Sequence, residues 1–197
     1  MHSIEKEIKR KISRKPRGTL IFPNDFLKKG TQEAIRVALH RLKKNGYIKR
    51  VATGIYVRPI LSQYINEIMP TAEEVAAAIA KRDKITIIPT GTQALHILGL
   101  STQIPMKLVF LTNGAPREIK IGNRTIKLKR TTPKNLLAKG KISSLAIQAL
   151  REISKNKLTS SDENKIITLL KKENKKHLLH DIELAPVWIQ KIMKKAI

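Results

Sequence analysis

The chain has no cysteine, which excludes disulfides and thiolate metal sites and leaves no sign of an oxidising compartment. Phe, Trp and Tyr together make up only 4% of residues, so Ile, Leu and Val must carry most of the packing. No run approaches the roughly 18 apolar residues that a membrane span requires, and Met1-His2-Ser3-Ile4-Glu5 lacks the apolar core of a signal peptide. A cytoplasmic protein with no membrane partner is therefore expected. Acidic residues are also scarce. Against 15 Asp and Glu stand 40 Lys and Arg, a formal charge of +25 over 197 residues, far beyond what solubility demands. Such an imbalance favours a polyanion, because each phosphate neutralised by a cation releases condensed counterions.

The excess is densest at the start, where residues 1–60 hold 16 Lys and Arg against 4 Asp and Glu. The most informative stretch lies there, from Thr31 to Arg58. Between Gly30 and Gly46 the residues Ile35, Ala38, Leu39 and Leu42 fall at helical spacing, while Gln32, Arg36, His40, Lys43 and Lys44 point elsewhere. Tyr47 to Val51 and Gly54 to Arg58 then read as two strands joined by a tight turn at Ala52-Thr53-Gly54. Upstream, Ile4, Ile8 and Ile12 form the stripe of a first helix capped by Ser3. Thr19 to Phe22 suits a short strand, and Pro23 opens a second helix that stops near Gly30. The order helix, strand, helix, helix, strand, strand is that of a winged helix-turn-helix over residues 1–60, with the third helix in the position that enters a major groove.

Within that module Thr31 offers a hydroxyl and a backbone N–H to phosphate. Gln32 and Arg36 suit base edges, because Gln pairs with adenine and Arg with guanine. His40, Lys43 and Lys44 extend the same surface. Lys49, Arg50, Thr53 and Arg58 are the candidates on the wing, and Arg14 and Arg17 reach neighbouring phosphates from the first loop.

Residues 61–70 read as a connector. Beyond it, Ala72 to Arg82 forms a helix capped by Thr71, and Ile85 to Ile88 and Lys107 to Leu111 suit buried strands flanking a helix at Thr92 to Leu98. Glu118 to Lys129 suits a hairpin turning at Gly122-Asn123. From Lys141 onward the pattern is helical, with Ser160 or Ser161 capping one helix and Pro186 opening the last. The expected fold class is α+β: an N-terminal winged helix, then a small α/β unit and a helical tail over residues 61–197.

No chemistry site assembles from the remaining residues. Thr90-Gly91-Thr92 follows a strand and opens a helix, but a glycine-rich phosphate loop and its lysine are absent. His177 and His180 stand beside Asp181 and Glu183 without a further well-placed ligand, and His96 lies on a mostly apolar helix. Neither catalysis nor a cofactor or metal is expected.

Three segments carry a family likeness. They are Ala38-Leu39-His40-Arg41-Leu42-Lys43-Lys44-Asn45-Gly46-Tyr47-Ile48, Gly54-Ile55-Tyr56-Val57 and Gly91-Thr92-Gln93-Ala94-Leu95-His96-Ile97-Leu98-Gly99-Leu100-Ser101. Over about residues 1–135 the chain resembles the AbiEi-type antitoxins of bacterial type IV toxin–antitoxin systems. The resemblance implies a winged helix that binds inverted repeats in its own promoter and represses it. It also implies a C-terminal domain linked to antitoxicity and cooperative binding, and a nucleotidyltransferase-like toxin as partner. A stand-alone winged-helix regulator without a toxin, or an RNA-binding protein, remains the alternative.

Overall fold

A computed structural model describes residues 4–64 and 66–197; the expected cap at Ser3 lies outside them. The protein is a mixed α+β fold with two compact units. One comprises Met1–Ala78 with Ile119–Asn123, the other Ile79–Glu118 with Arg124–Ile197. The boundary expected near residue 60 falls inside the first.

In the first unit α1 (Ile4–Ser13) is followed by β1 (Leu20–Ile21), a 3-10 helix (Pro23–Lys29), α2 (Gln32–Lys44), β2 (Lys49–Ala52) and β3 (Ile55–Val57). These three strands form an antiparallel sheet in the order β1-β3-β2. Ile8 and Ile12 of α1, Ile21 of β1, Phe26 of the 3-10 helix, and Ile35, Ala38, Leu39 and Leu42 of α2 share one core with Ile48. Burial of these side chains, at about 1.5–3 kcal/mol each, is what holds α2 on the unit. The second helix is a 3-10 turn because Pro23 opens it and Asp25, accepting the Phe22 N–H at 3.3 Å, tightens its start.

Two glycines shape the exit from α2. Gly46 adopts φ 70°, a left-handed conformation that costs other residues energy, and the Tyr47 N–H then closes onto the Leu42 carbonyl at 2.9 Å. At Gly54, φ 69° turns β2 into β3, next to a register shift between Arg50 and Ala52.

The segment expected as a connector is instead a separate hairpin, β4 (Ile60–Ser62) and β5 (Asn66–Ile68), which among the described residues pair only with each other. Next comes α3 (Ala72–Asp83), opened by a reciprocal cap. Thr71 Oγ1 accepts the Glu74 N–H at 3.2 Å, and Glu74 Oε2 accepts the Thr71 N–H at 2.7 Å.

The remaining elements are β6 (Ile87–Pro89), α4 (Thr92–Ile97), β7 (Lys107–Thr112), β8 (Arg117–Ile121), β9 (Arg124–Arg130), α5 (Lys141–Ile153), α6 (Ser160–Leu170), α7 (Lys175–Ile182) and α8 (Val187–Met193). Strands β6 to β9 form one sheet in the order β6-β7-β9-β8, with β7 and β9 parallel. The helical core of the second unit gathers Ala146, Ile147 and Leu150 of α5 with Ile166, Leu170, Leu178, Ile182 and Ile189. Thr159, one residue before the two serines expected to cap α6, makes the cap by accepting the Asp162 N–H at 3.1 Å.

The start of α5 is held from a distance. The Asp181 carboxylate accepts the N–H groups of Lys139 and Gly140, each at 2.8 Å, and the hydroxyl of Ser143. Glu173 accepts the Ile142 N–H at 2.7 Å. Burial acts to raise the Asp181 pKa, but the hydrogen bonds from Ser143, His180, Lys139 and Gly140 outweigh it and the net direction is down.

Candidate nucleic-acid interface

The candidate interface is built on α2. Its start is fixed by Thr31, whose side chain accepts the Ala34 N–H at 3.3 Å; that oxygen serves the helix and stays exposed. With Ile35, Ala38, Leu39 and Leu42 buried, the other side of the helix is open, and Gln32, Arg36, His40, Lys43 and Lys44 are all exposed on it. Among the described residues, Arg36, Lys43 and Lys44 enter no ion pair. Arg41 differs from them, because its guanidinium lies 3.8 Å from the Glu5 carboxylate of α1.

Positions 33, 37, 40 and 44 recur at four, three and four, so Glu33 and Val37 share the outermost stripe with His40 and Lys44. Both are exposed, Val37 at 49%. Sequence reasoning omitted this pair. The spacing of Val37 from Ile35 and Leu39 already places it outside the buried stripe. In a major groove a carboxylate accepts from cytosine N4, and a methyl group meets the thymine methyl.

The cations expected on a wing are in a different state. Arg17 donates to the Pro59 carbonyl at 3.0 Å. Arg58 is half-buried and donates to the carbonyls of Lys15 at 3.1 Å and Ser13 at 3.4 Å, and to the Tyr47 hydroxyl at 3.5 Å. Arg17 and Arg58 therefore tie the end of β3 to the turn after α1. At the β2–β3 turn Arg50 donates to the Ala52 carbonyl at 3.3 Å and to the Thr53 hydroxyl at 3.1 Å, which rigidifies the turn while leaving both residues exposed. Lys49 lies 3.4 Å from Glu67 of β5. Arg14 is exposed in the turn after α1 and enters no ion pair among the described residues. The candidate set thus divides into open cations on α2 and at Arg14, and cations already engaged at Arg17, Lys49, Arg50 and Arg58.

Elsewhere, His180 Nδ1 lies 2.8 Å from Asp181 Oδ1, and no group of three His, Cys, Asp or Glu among the described residues is arranged to hold a metal. Among the same residues, no helix is long and apolar enough to cross a membrane.

These features define a mixed α+β protein in which α2 presents exposed cations to solvent. The chain belongs to DUF6088, a family of unknown function, whose model matches residues 7–178. No similar curated protein was found.

Proposed function

We propose that this chain is a sequence-specific DNA-binding regulator whose residues 4–57 act as a winged helix-turn-helix, with α2 as the helix that enters the major groove. The observation that carries this reading is the exposed face of α2, where Arg36, Lys43 and Lys44 are solvated, unpaired and aligned with Gln32 and His40. Thirteen residues give the helix a length of about 20 Å, enough to lie along a groove about 12 Å wide. In this reading the β2–β3 turn, where Arg50 and Thr53 are exposed, meets the flanking backbone. Glu33 and Val37 add base-discriminating chemistry to a surface that charge alone would make indiscriminate.

The likeness to AbiEi-type antitoxins extends the proposal: the regulator represses its own promoter through inverted repeats, acts in the cytoplasm, and counteracts a nucleotidyltransferase-like toxin. A catalytic role is not part of it. The test is fluorescence anisotropy with the chain's own upstream duplex against a scrambled duplex of equal length. Binding to the upstream duplex at least tenfold tighter, a difference of about 1.4 kcal/mol, supports the proposal. Equal affinities reject it, and a preference for structured RNA in competition replaces it with an RNA-binding role. Growth rescue on co-expression with the neighbouring open reading frame's product tests the antitoxin extension separately.

A further inference from the structure

Strand β6 lies at one edge of the four-stranded sheet, and its hydrogen-bond ladder fixes which main-chain groups face outward. The Thr90 N–H donates to the Val109 carbonyl at 3.0 Å, and the Thr86 N–H donates to the Asn113 side chain at 2.9 Å. Even-numbered residues of the strand therefore turn toward β7. Alternation directs the Ile87 N–H and carbonyl, and the Pro89 carbonyl, to the open edge, where no strand of the described residues pairs with them.

Against that edge lies a cavity of about 360 Å³, within the size range of small-ligand sites. Ile87, Ile88 and Pro89 of β6 line it together with Ile97, Leu136 and Leu145. Successive side chains on a strand point to opposite faces, so a cavity lined by three consecutive residues follows the edge. Its walls are apolar and accessible, with Ile97 47% exposed. The charged residues of the lining are Lys139 and Lys141, both exposed and without an ion pair among the described residues. The carboxylates that reach this end of α5, Asp181 and Glu173, are committed to the main-chain N–H groups of residues 139, 140, 142 and 143, and neither lines the cavity.

We propose that this groove binds an extended acidic peptide segment of a partner protein, which adds to β6 as a further strand and places an apolar side chain in the cavity. The open edge selects a peptide, because a backbone N–H and two carbonyls in strand register are matched by another extended backbone. Alternation along the added strand sends one side chain into the apolar cavity and its neighbours outward, where Lys139 and Lys141 favour carboxylates. Pro89 has no N–H, so pairing stops after Ile87 and the Pro89 carbonyl. That limit admits a short segment while denying a long template for aggregation. Few hydrogen bonds and one buried side chain make the association modest and reversible. The inference rests on the second unit alone and stands apart from the function proposed for α2.

Amide NMR titration of the full chain with capped five-residue peptides tests it. The probe Glu-Val-Val-Val-Glu is expected to shift the Ile87 amide saturably, with a Kd below about 1 mM, and to protect that amide from hydrogen exchange. Three control peptides, each expected to bind at least about tenfold more weakly, separate the contributions. Glu-Ser-Ser-Ser-Glu keeps the charge without the apolar side chain, Lys-Val-Val-Val-Lys reverses the charge, and N-methylation of all three valines of the probe removes the main-chain donors. Lys139→Ser with Lys141→Ser, both at exposed positions, is expected to weaken the probe at least about threefold with an unchanged melting temperature. A Kd above about 1 mM, or shifts confined to the amides of α2, overturns the proposal. So does a control peptide that binds as tightly as the probe, or a serine pair without effect.

Discussion

The Arg58 guanidinium donates to the Lys15 carbonyl at 3.1 Å and thereby joins two segments 43 residues apart, the end of β3 and the turn after α1. An arginine that reads as a wing cation is thus a structural clasp. Its half-buried guanidinium also donates to the Ser13 carbonyl at 3.4 Å. Hydrogen bonds from a charged donor are worth about 1.5–3 kcal/mol. Arg58→Ala is therefore expected to destabilise the first unit by about 2 kcal/mol in urea unfolding, with DNA affinity falling only as the folded fraction falls. A loss of affinity at full folding, with a shallower salt slope, would place Arg58 on the phosphates instead.

Arg36 and Lys44 separate base reading from phosphate binding on one helix. Arg36→Ala is expected to cost about 1–3 kcal/mol on the cognate duplex and much less on a scrambled one. Lys44→Ala is expected to weaken both alike and reduce the salt slope by about one. Anisotropy titrations at several salt concentrations measure both quantities, and equal losses for Arg36→Ala on the two duplexes would remove it from base recognition.

Asp83 closes α3 between two guanidiniums, and its pKa is lowered from 3.8 to about 2, chiefly by the hydrogen bond from Arg82, with Arg117 adding to it against the effect of burial. A carboxyl depressed on folding contributes stability that is complete above its unfolded pKa and disappears as pH falls through the folded one. The window is therefore pH 4 down to 2. Discounted for the partial exposure of Arg117, the contribution is about 1–2 kcal/mol. Wild type should lose that much more stability than Asp83→Asn across the window. Parallel pH profiles for the two proteins would show that the pair contributes nothing.

The exposed and buried faces of α2 are visible in the sequence because helical spacing separates Ile35, Leu39 and Leu42 from Arg36, His40 and Lys43 without knowledge of the partner elements. Strands β7 and β9 are equally visible, since β-branched and apolar runs bounded by Gly122-Asn123 leave few other options. The β4–β5 hairpin is not. Leu61-Ser62-Gln63-Tyr64 carries neither Gly nor Pro at its turn and no clean alternation, so it reads as a linker. The engagement of Arg17 and Arg58 is hidden for another reason: their acceptors are main-chain carbonyls more than 40 residues away, which no local pattern encodes. Asp181 is hidden in the same way, appearing beside His180 as a possible metal ligand while it in fact caps α5.

That cap makes a strong prediction. Asp181 is completely buried, and its two oxygens accept two main-chain N–H groups and the Ser143 hydroxyl. Asp181→Ala leaves those donors without acceptors in a site too enclosed for easy solvation, at a cost of about 3 kcal/mol or more. Asp181→Asn retains one oxygen but turns an amide toward the start of α5, so it should recover only part of the loss. Thermal unfolding should rank wild type above Asn and Asn above Ala. Full stability of Asp181→Ala would show that α5 does not depend on the cap.

Lys49 and Glu67 provide a last test, because their ion pair couples β2 to β5 across 3.4 Å. Both side chains are roughly half exposed, so breaking the pair should hardly change folding stability. Glu67→Gln removes a negative charge beside the wing and frees Lys49 for a phosphate. Binding to any duplex should tighten by about two- to fivefold, and the salt slope should steepen by up to about one. Lys49→Ala in the Glu67→Gln background should abolish the gain. If Glu67→Gln leaves affinity and slope unchanged, the β2–β3 turn lies away from the backbone, and α2 must supply the phosphate contacts by itself.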